Sequence, residues 1–414
     1  MLARLGPGLL FAAITVGVSH LVMATRAGAG YGFAMLLVIL FANATKYPAF
    51  MAATVYSSAT GQTLIEAYRR QGVWALVLLA VIMSLTMFVA LAAISLLCAG
   101  LFNAALGTAW DTRWLAVLIL VATALLLAVG RYRLLEAAIK VLVVAFAIAT
   151  LVATALVLPE LDWSGLARPW PVGIDMATLL FTASLIGWMP GPLDTAVFQS
   201  VWIRARVRNR GALPPLSDAR FDFNVGFGCT VALSVCFMLL GAALLYGKDL
   251  RLAADATGFS LLLLSVYTES LGEWSRPLIA FAAVAVIYST LLTVVDAYPR
   301  SVAALIACAR HPEPHADRDA HGLGLYLGTM VLVIGGAALM IHFLGKSFGR
   351  VLDIATTVSF VFTPVLAWLN HRAVIGPDVP AAARPGRVFV AYSAVCITLM
   401  TLFSCAYLML RITE

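Results

Sequence analysis

The stretch that most constrains this chain is its first apolar segment, Gly6 to Tyr31, which reads GPGLLFAAITVGVSHLVMATRAGAGY. It is long enough to cross a bilayer, for which about 20 mainly apolar residues suffice. Yet Gly17, Ser19 and His20 sit near its middle, and Arg26 follows. A polar, glycine-interrupted patch at that depth costs free energy unless it lines a cavity enclosed by protein. Far downstream, the run LIGWMPGPLD, Leu185 to Asp194, repeats the device with Gly187, Pro190, Gly191 and Pro192. Two broken apolar helices, each opening one half of the chain, predict a transporter with its site at the breaks.

The rest of the chain supports a polytopic helical membrane protein. Of 414 residues, 62% are hydrophobic and 11% charged, with mean hydropathy +0.98. Soluble domains carry about 25% charged residues. The first segment is too long, and lacks the cleavage-type end, of a signal peptide. The six cysteines form no CxxC pair, which favours small packing residues. The net charge of +7 is what basic cytoplasmic loops produce and is no nucleic-acid signal.

Eleven spans are expected, at about 7–30, 33–56, 74–102, 113–130, 136–158, 174–203, 222–246, 276–298, 322–344, 349–370 and 388–410. Phe259–Tyr267 reads as a short apolar helix in an external loop. With the N-terminus inside, sixteen loop arginines fall inside, against eight arginines and lysines outside. The run Arg204, Arg206, Arg208 and Arg210 is the firmest anchor. The positive-inside rule therefore puts the N-terminus in the cytoplasm and the C-terminus outside. The expected location is a bacterial inner (plasma) membrane, with lipid as a partner and no nucleic acid.

Spans one and six are both interrupted, and five spans separate their starts. The halves therefore have opposite orientation. This is the arithmetic of a five-plus-five inverted repeat: 7–158 as the first repeat, 174–370 as the second, and 388–410 as an added eleventh helix. The whole, 1–410, is read as one transporter domain.

In that register the N-terminal run resembles the Nramp metal-ion transporters. The resemblance rests on Gly6-Pro7-Gly8, on Ala27-Gly28-Ala29-Gly30-Tyr31-Gly32-Phe33, on Ala42-Asn43, and on Met189-Pro190 in span six. It implies an all-α, LeuT-like fold and secondary transport of a metal cation. It also identifies departures. The family's DPGN break falls on Gly17-Val18-Ser19-His20, so its metal-holding Asp and Asn become Gly17 and His20. The family's His after Met-Pro is Gly191, and its metal-site Gln in span ten falls on Thr356. The family's proton route uses acids in the third helix and arginines in the ninth; residues 74–102 and 322–344 contain neither.

The candidate substrate site is Gly17, Ser19, His20, Ile186, Gly187, Met189, Asp194 and Thr356, with His20, Met189 and Asp194 as candidate metal ligands. His20 has several possible duties: ligating a borderline metal, accepting a proton, donating to an anion, or satisfying unwound backbone. Met189 offers a soft thioether or ordinary packing. Asp194, the only acid in span six, is either a replacement carboxylate or a helix-capping residue. The capping reading takes Gly191 as N-cap and Asp194 as the third residue of the second half-helix. An ionised Asp there needs a partner, and His20 or Lys46 are the candidates.

Lys46 itself reads as a snorkelling lysine or a functional one. Arg26 reads as lining the outer vestibule or snorkelling to the outer interface. Glu136 and Lys140 read as a surface i, i+4 pair, Asp296 as an interface residue, and the cluster His311, His315, Asp317, Asp319 and His321 as a solvated loop. No nucleophile–base pair, metal triad or GxxxxGK[ST] is present, so neither an enzyme nor a nucleotide-driven pump is expected, and no cofactor. Transport of a small inorganic ion, a metal cation by resemblance, is the first reading. A small anion or polar organic solute on the same fold is the alternative, because the first helix has lost its acid.

Overall fold

The computed structural model describes residues 7–129, 133–167, 175–210, 212–247, 255–310 and 322–413, and among them all regular structure is helical. The side chains of Glu136 and Lys140, and the whole of 311–321 with its histidines, lie outside the described residues.

The first crossing is α1 (Pro7–Thr15), a short break, a π-helical turn (Ser19–Ala24) and α2 (Thr25–Tyr31). The break has a local cause. The Thr15 hydroxyl bonds back to the Phe11 carbonyl at 2.7 Å, and the Gly17 amide closes a tight turn on the Thr15 carbonyl at 2.9 Å. Gly32, at φ 55°, reverses the chain into α3 (Leu36–Thr60). There follow α4 (Leu64–Gln71), α5 (Val73–Leu106), α6 (Thr112–Val129) and α7 (Arg133–Val157).

The second half opens with α8 (Met176–Trp188) and α9 (Thr195–Arg210) on either side of the second break. Pro190 and Pro192 carry no amide hydrogen, so the helical ladder cannot run through 189–194. Then come α10 (Leu216–Leu244), α11 (Ala256–Leu271), α12 (Arg276–Arg310), α13 (Gly322–Leu344), α14 (Phe348–Ile375) and α15 (Arg387–Thr413). Eight stretches among the described residues are long and apolar enough to cross a bilayer, one of them Ser19–Thr60, which takes in α2 and α3. The other expected crossings coincide with α7 and with the interrupted pair α8 and α9. The short apolar helix expected at Phe259–Tyr267 lies within α11.

Two groups of helices pack together. One holds α1, α2, α3, α8, α9 and α10; the other holds α5, α6, α12 and α13, with α14 bridging them and α15 lying against α14 and α3. Contact within the first group is close enough to exclude side chains. A Cβ on Gly28 would lie 1.9 Å from the Met238 carbonyl oxygen, and one on Gly241 would lie 2.3 Å from that of Thr25. Small residues that let backbones touch are how helices associate where lipid offers no hydrophobic drive.

Helix α4 was not read from the sequence. Its signature was present: Thr63 and Glu66 form a capping box, each bonding the other's backbone amide. Glu66 also meets Arg204 of α9 at 2.9 Å, tying this short amphipathic helix to the far end of the broken pair.

Candidate functional site

The two breaks meet. Between them lies a small cavity of about 40 Å³ with mainly apolar walls, including Ile14, Ile94, Trp188 and Phe198, and with Thr15 and Ser19 of the first break, Gly191, Pro192 and Thr195 of the second, and Tyr298 of α12 at its edge. That is room for a few waters or one ion. The sequence placed the site at these breaks, and the fold brings them together.

Asp194 lies at the second break, fully inside the protein at 2% exposure. Helix α9 starts at Thr195, not at Pro192, so the expected third-position capping role does not arise. The Asp194 backbone carbonyl receives the Val197 amide at 2.8 Å, while its carboxylate reaches across the bundle. Oδ2 accepts hydrogen bonds from Tyr298 of α12 at 3.0 Å and from Thr86 of α5 at 3.2 Å. Oδ1 is buried with no partner at hydrogen-bonding geometry; the backbone amides of Asp194 itself and of Thr195 stand nearby, the latter directed at the Pro192 carbonyl. A buried carboxylate oxygen left bare is costly and is the type of acceptor a cation or proton satisfies.

His20 is turned away from this oxygen. Its ring is fully buried, with Nε2 2.9 Å from the Thr230 carbonyl of α10 and Nδ1 2.8 Å from the Ser19 hydroxyl. A carbonyl oxygen only accepts, so Nε2 carries the hydrogen; the single Ser19 hydroxyl hydrogen has three acceptors in reach, Nδ1 and the carbonyls of Thr15 and Pro190. Both ring nitrogens therefore face protein atoms, Nε2 the Thr230 carbonyl and Nδ1 the Ser19 hydroxyl. The geometry is that of a histidine satisfying backbone, not of a ligand presented to the cavity. Ser19 does face the second break: its Oγ is also 3.0 Å from the Pro190 carbonyl and 2.7 Å from that of Thr15.

Lys46, near the middle of α3, does not snorkel. It is wholly buried, and its ammonium donates to the carbonyl of Gly187 at 2.6 Å and of Gly191 at 3.1 Å. Of the two neighbours expected for Asp194, Lys46 lies within electrostatic reach of it.

The other candidates have quieter surroundings. Gly187 is compelled: a Cβ there would stand 2.1 Å from the Thr356 carbonyl oxygen of α14. The Thr356 hydroxyl bonds back to Leu352 of its own helix at 2.8 Å, so only its backbone borders the break. Met189 and Ile186 are buried there, Met189 closing α8 through its amide bond to the Leu185 carbonyl at 3.0 Å. Gly17 packs on the Thr290 side chain. Sequence reasoning missed Thr86 and Tyr298, which a hydroxyl inside an apolar helix only faintly signals. Among the described residues no group of three or more His, Cys, Asp or Glu is arranged to hold a metal ion.

Broken helices packed around a shared mid-bundle cavity, within an apolar helical chain, define an integral membrane transporter of LeuT-like fold rather than an enzyme. The chain belongs to the Nramp family: the model of the Natural resistance-associated macrophage protein-like family matches residues 8–410. An uncharacterized protein of Pasteurella multocida (strain Pm70), PM0681, is 31% identical over 383 residues, covering 90% of this chain and 85% of that one. Among solved structures, a variant of the Eremococcus coleocola manganese transporter superposes with TM-score 0.67 at 14% identity, over 96% of this chain and 84% of that one. MhsT in complex with L-phenylalanine superposes with TM-score 0.59 at 15% identity, over 97% of each chain. These structural likenesses speak to the fold.

Proposed function

We propose that this protein is a secondary transporter that carries a divalent metal cation across a bacterial inner membrane by alternating access, with manganese the first candidate. The family supports a metal cargo, and the manganese transporter among its structural neighbours names the ion to try first. The observation that carries the reading is Asp194: a buried carboxylate at the second break with one oxygen outside hydrogen-bonding geometry, its other oxygen bonded to Tyr298, which lines the cavity where the two breaks meet. With the first-helix acid replaced by Gly17, Asp194 supplies the negative charge, Met189 a thioether, and the broken backbone neutral oxygens. So sparse a donor set suits an ion that must leave as well as enter.

In this reading, 7–158 and 174–370 are the two inverted five-helix repeats and 388–410 is the added helix. The arginine-rich loops set the N-terminus in the cytoplasm and the C-terminus outside. Access alternates around Gly17–His20 and Gly187–Asp194. The anionic or polar organic cargo rested on His20 and on the missing acid. His20 is bonded to the Thr230 carbonyl and Asp194 is buried at the second break, and the family match supports a metal cargo instead.

Uptake of radioactive manganese into proteoliposomes tests the proposal. Saturable uptake above protein-free vesicles is expected, and uptake no greater than theirs would overturn the metal reading.

A further inference from the structure

A helix that stops inside a membrane protein leaves its last carbonyls without amide partners. In transporters with such breaks, those carbonyls are the natural ligands for a small cation taken from solution. Here the carbonyls of Gly187, in the last turn of α8, and Gly191, in the linker beyond it, converge on one point, and Asp194 adds negative potential nearby. That point is occupied by the Lys46 ammonium, delivered by α3 from outside the broken helix.

We propose that the Lys46 ammonium is a resident, tethered cation that fills a monovalent-cation site in the second break, so that the protein needs no sodium or potassium from solution there. Three features support this over a lysine that is merely buried. The side chain is 0% exposed, so its amine meets only protein atoms and not bulk water. Its hydrogen bonds go to two backbone oxygens on either side of Met189-Pro190, the place where the helix is cut, and not to a surface acid. A lysine supplies what such a site requires of an ion: a compact, strongly hydrated point charge of one unit, with three donors. A tethered ion cannot be carried across. It therefore holds the break in shape through the cycle and withholds those two carbonyls from the cargo.

The inference concerns a fixed ion, not the cargo, and is read by melting, so its outcome is separable from that of the uptake assay. The full-length protein is purified in detergent and melted at constant ionic strength in choline, sodium, potassium or methylammonium chloride. Wild-type melting is expected to be the same in all four. Lys46→Ala, which vacates the site, is expected to melt lower in choline and to recover by about 2–4 °C in methylammonium, whose ammonium head can re-enter. Choline has no N–H and serves as the control. Equal melting of Lys46→Ala in all salts would overturn the inference. Should that variant fail to fold, Lys46→Gln keeps two donors without the charge. Clear destabilisation of Lys46→Gln supports a cation site, and wild-type stability of Lys46→Gln contradicts it.

Discussion

Arg26 of α2 stands 3.6 Å from Asp353 of α14, with its guanidinium over the ring of Phe181 in α8, 5.4 Å from the centroid. One side chain thus ties together the second half of the first broken helix, the first half of the other, and the bridging helix. It neither snorkels freely nor simply lines a vestibule, the two roles its sequence position suggested.

This contact is expected to act as a latch between the two broken helices and α14. A partly exposed pair contributes about 0.2–1 kcal/mol, so its loss should shift an open–closed equilibrium by no more than about fivefold. Arg26→Ala and Asp353→Ala should each lower manganese uptake by that order. The exchange Arg26→Asp with Asp353→Arg should recover much of it. Uptake assays of the two single variants and the exchange decide the matter, and an exchange no better than either single change contradicts a latch.

Gly187 is expected to tolerate no side chain. Its would-be Cβ meets backbone, the Thr356 carbonyl, which cannot rotate aside. Overpacking of this kind costs about 1–3 kcal/mol or more. Gly17→Ala instead meets the Thr290 side chain, whose end can turn. Melting temperatures should fall for Gly187→Ala well beyond any fall for Gly17→Ala.

His20 should matter for stability and not for the metal. His20→Ala removes a buried hydrogen bond to the Thr230 carbonyl, which keeps its own helical partner within α10, a loss of about 0.5–1.5 kcal/mol before the cavity is counted. Calorimetric affinity for manganese in the folded variant should stay within about twofold of wild type, since a purely structural ring holds no share of the binding free energy. A tenfold loss would return His20 to the ligand set.

These residues also show where the sequence was legible. The breaks were, because Gly17 and the pair Pro190 and Pro192 dictate local backbone whatever surrounds them. The span order was, because hydropathy is summed along the chain. Helix α4 carried its capping-box signature in Thr63 and Glu66 and went unread because it is short and polar. The partners of the site were not legible. Lys46 meets Gly187 and Gly191 across some 140 positions, and Asp194 meets Thr86 and Tyr298 across more than 100, pairings that only the packed helices establish. His20 had the right register for a ligand; the direction of its ring is set by Thr230 on a helix that no local pattern connects to it.

The central claim is that Asp194 holds the cargo. Asp194→Asn keeps the size of the side chain and its contacts with Tyr298 and Thr86 while removing the charge. Manganese uptake into proteoliposomes by this variant is the most direct test, with its melting temperature confirming the fold. Loss of a charged ligand to a divalent ion is expected to lower uptake at sub-saturating manganese by at least about tenfold, the equivalent of about 1.4 kcal/mol. Uptake by a folded Asp194→Asn protein equal to that of wild type would contradict it.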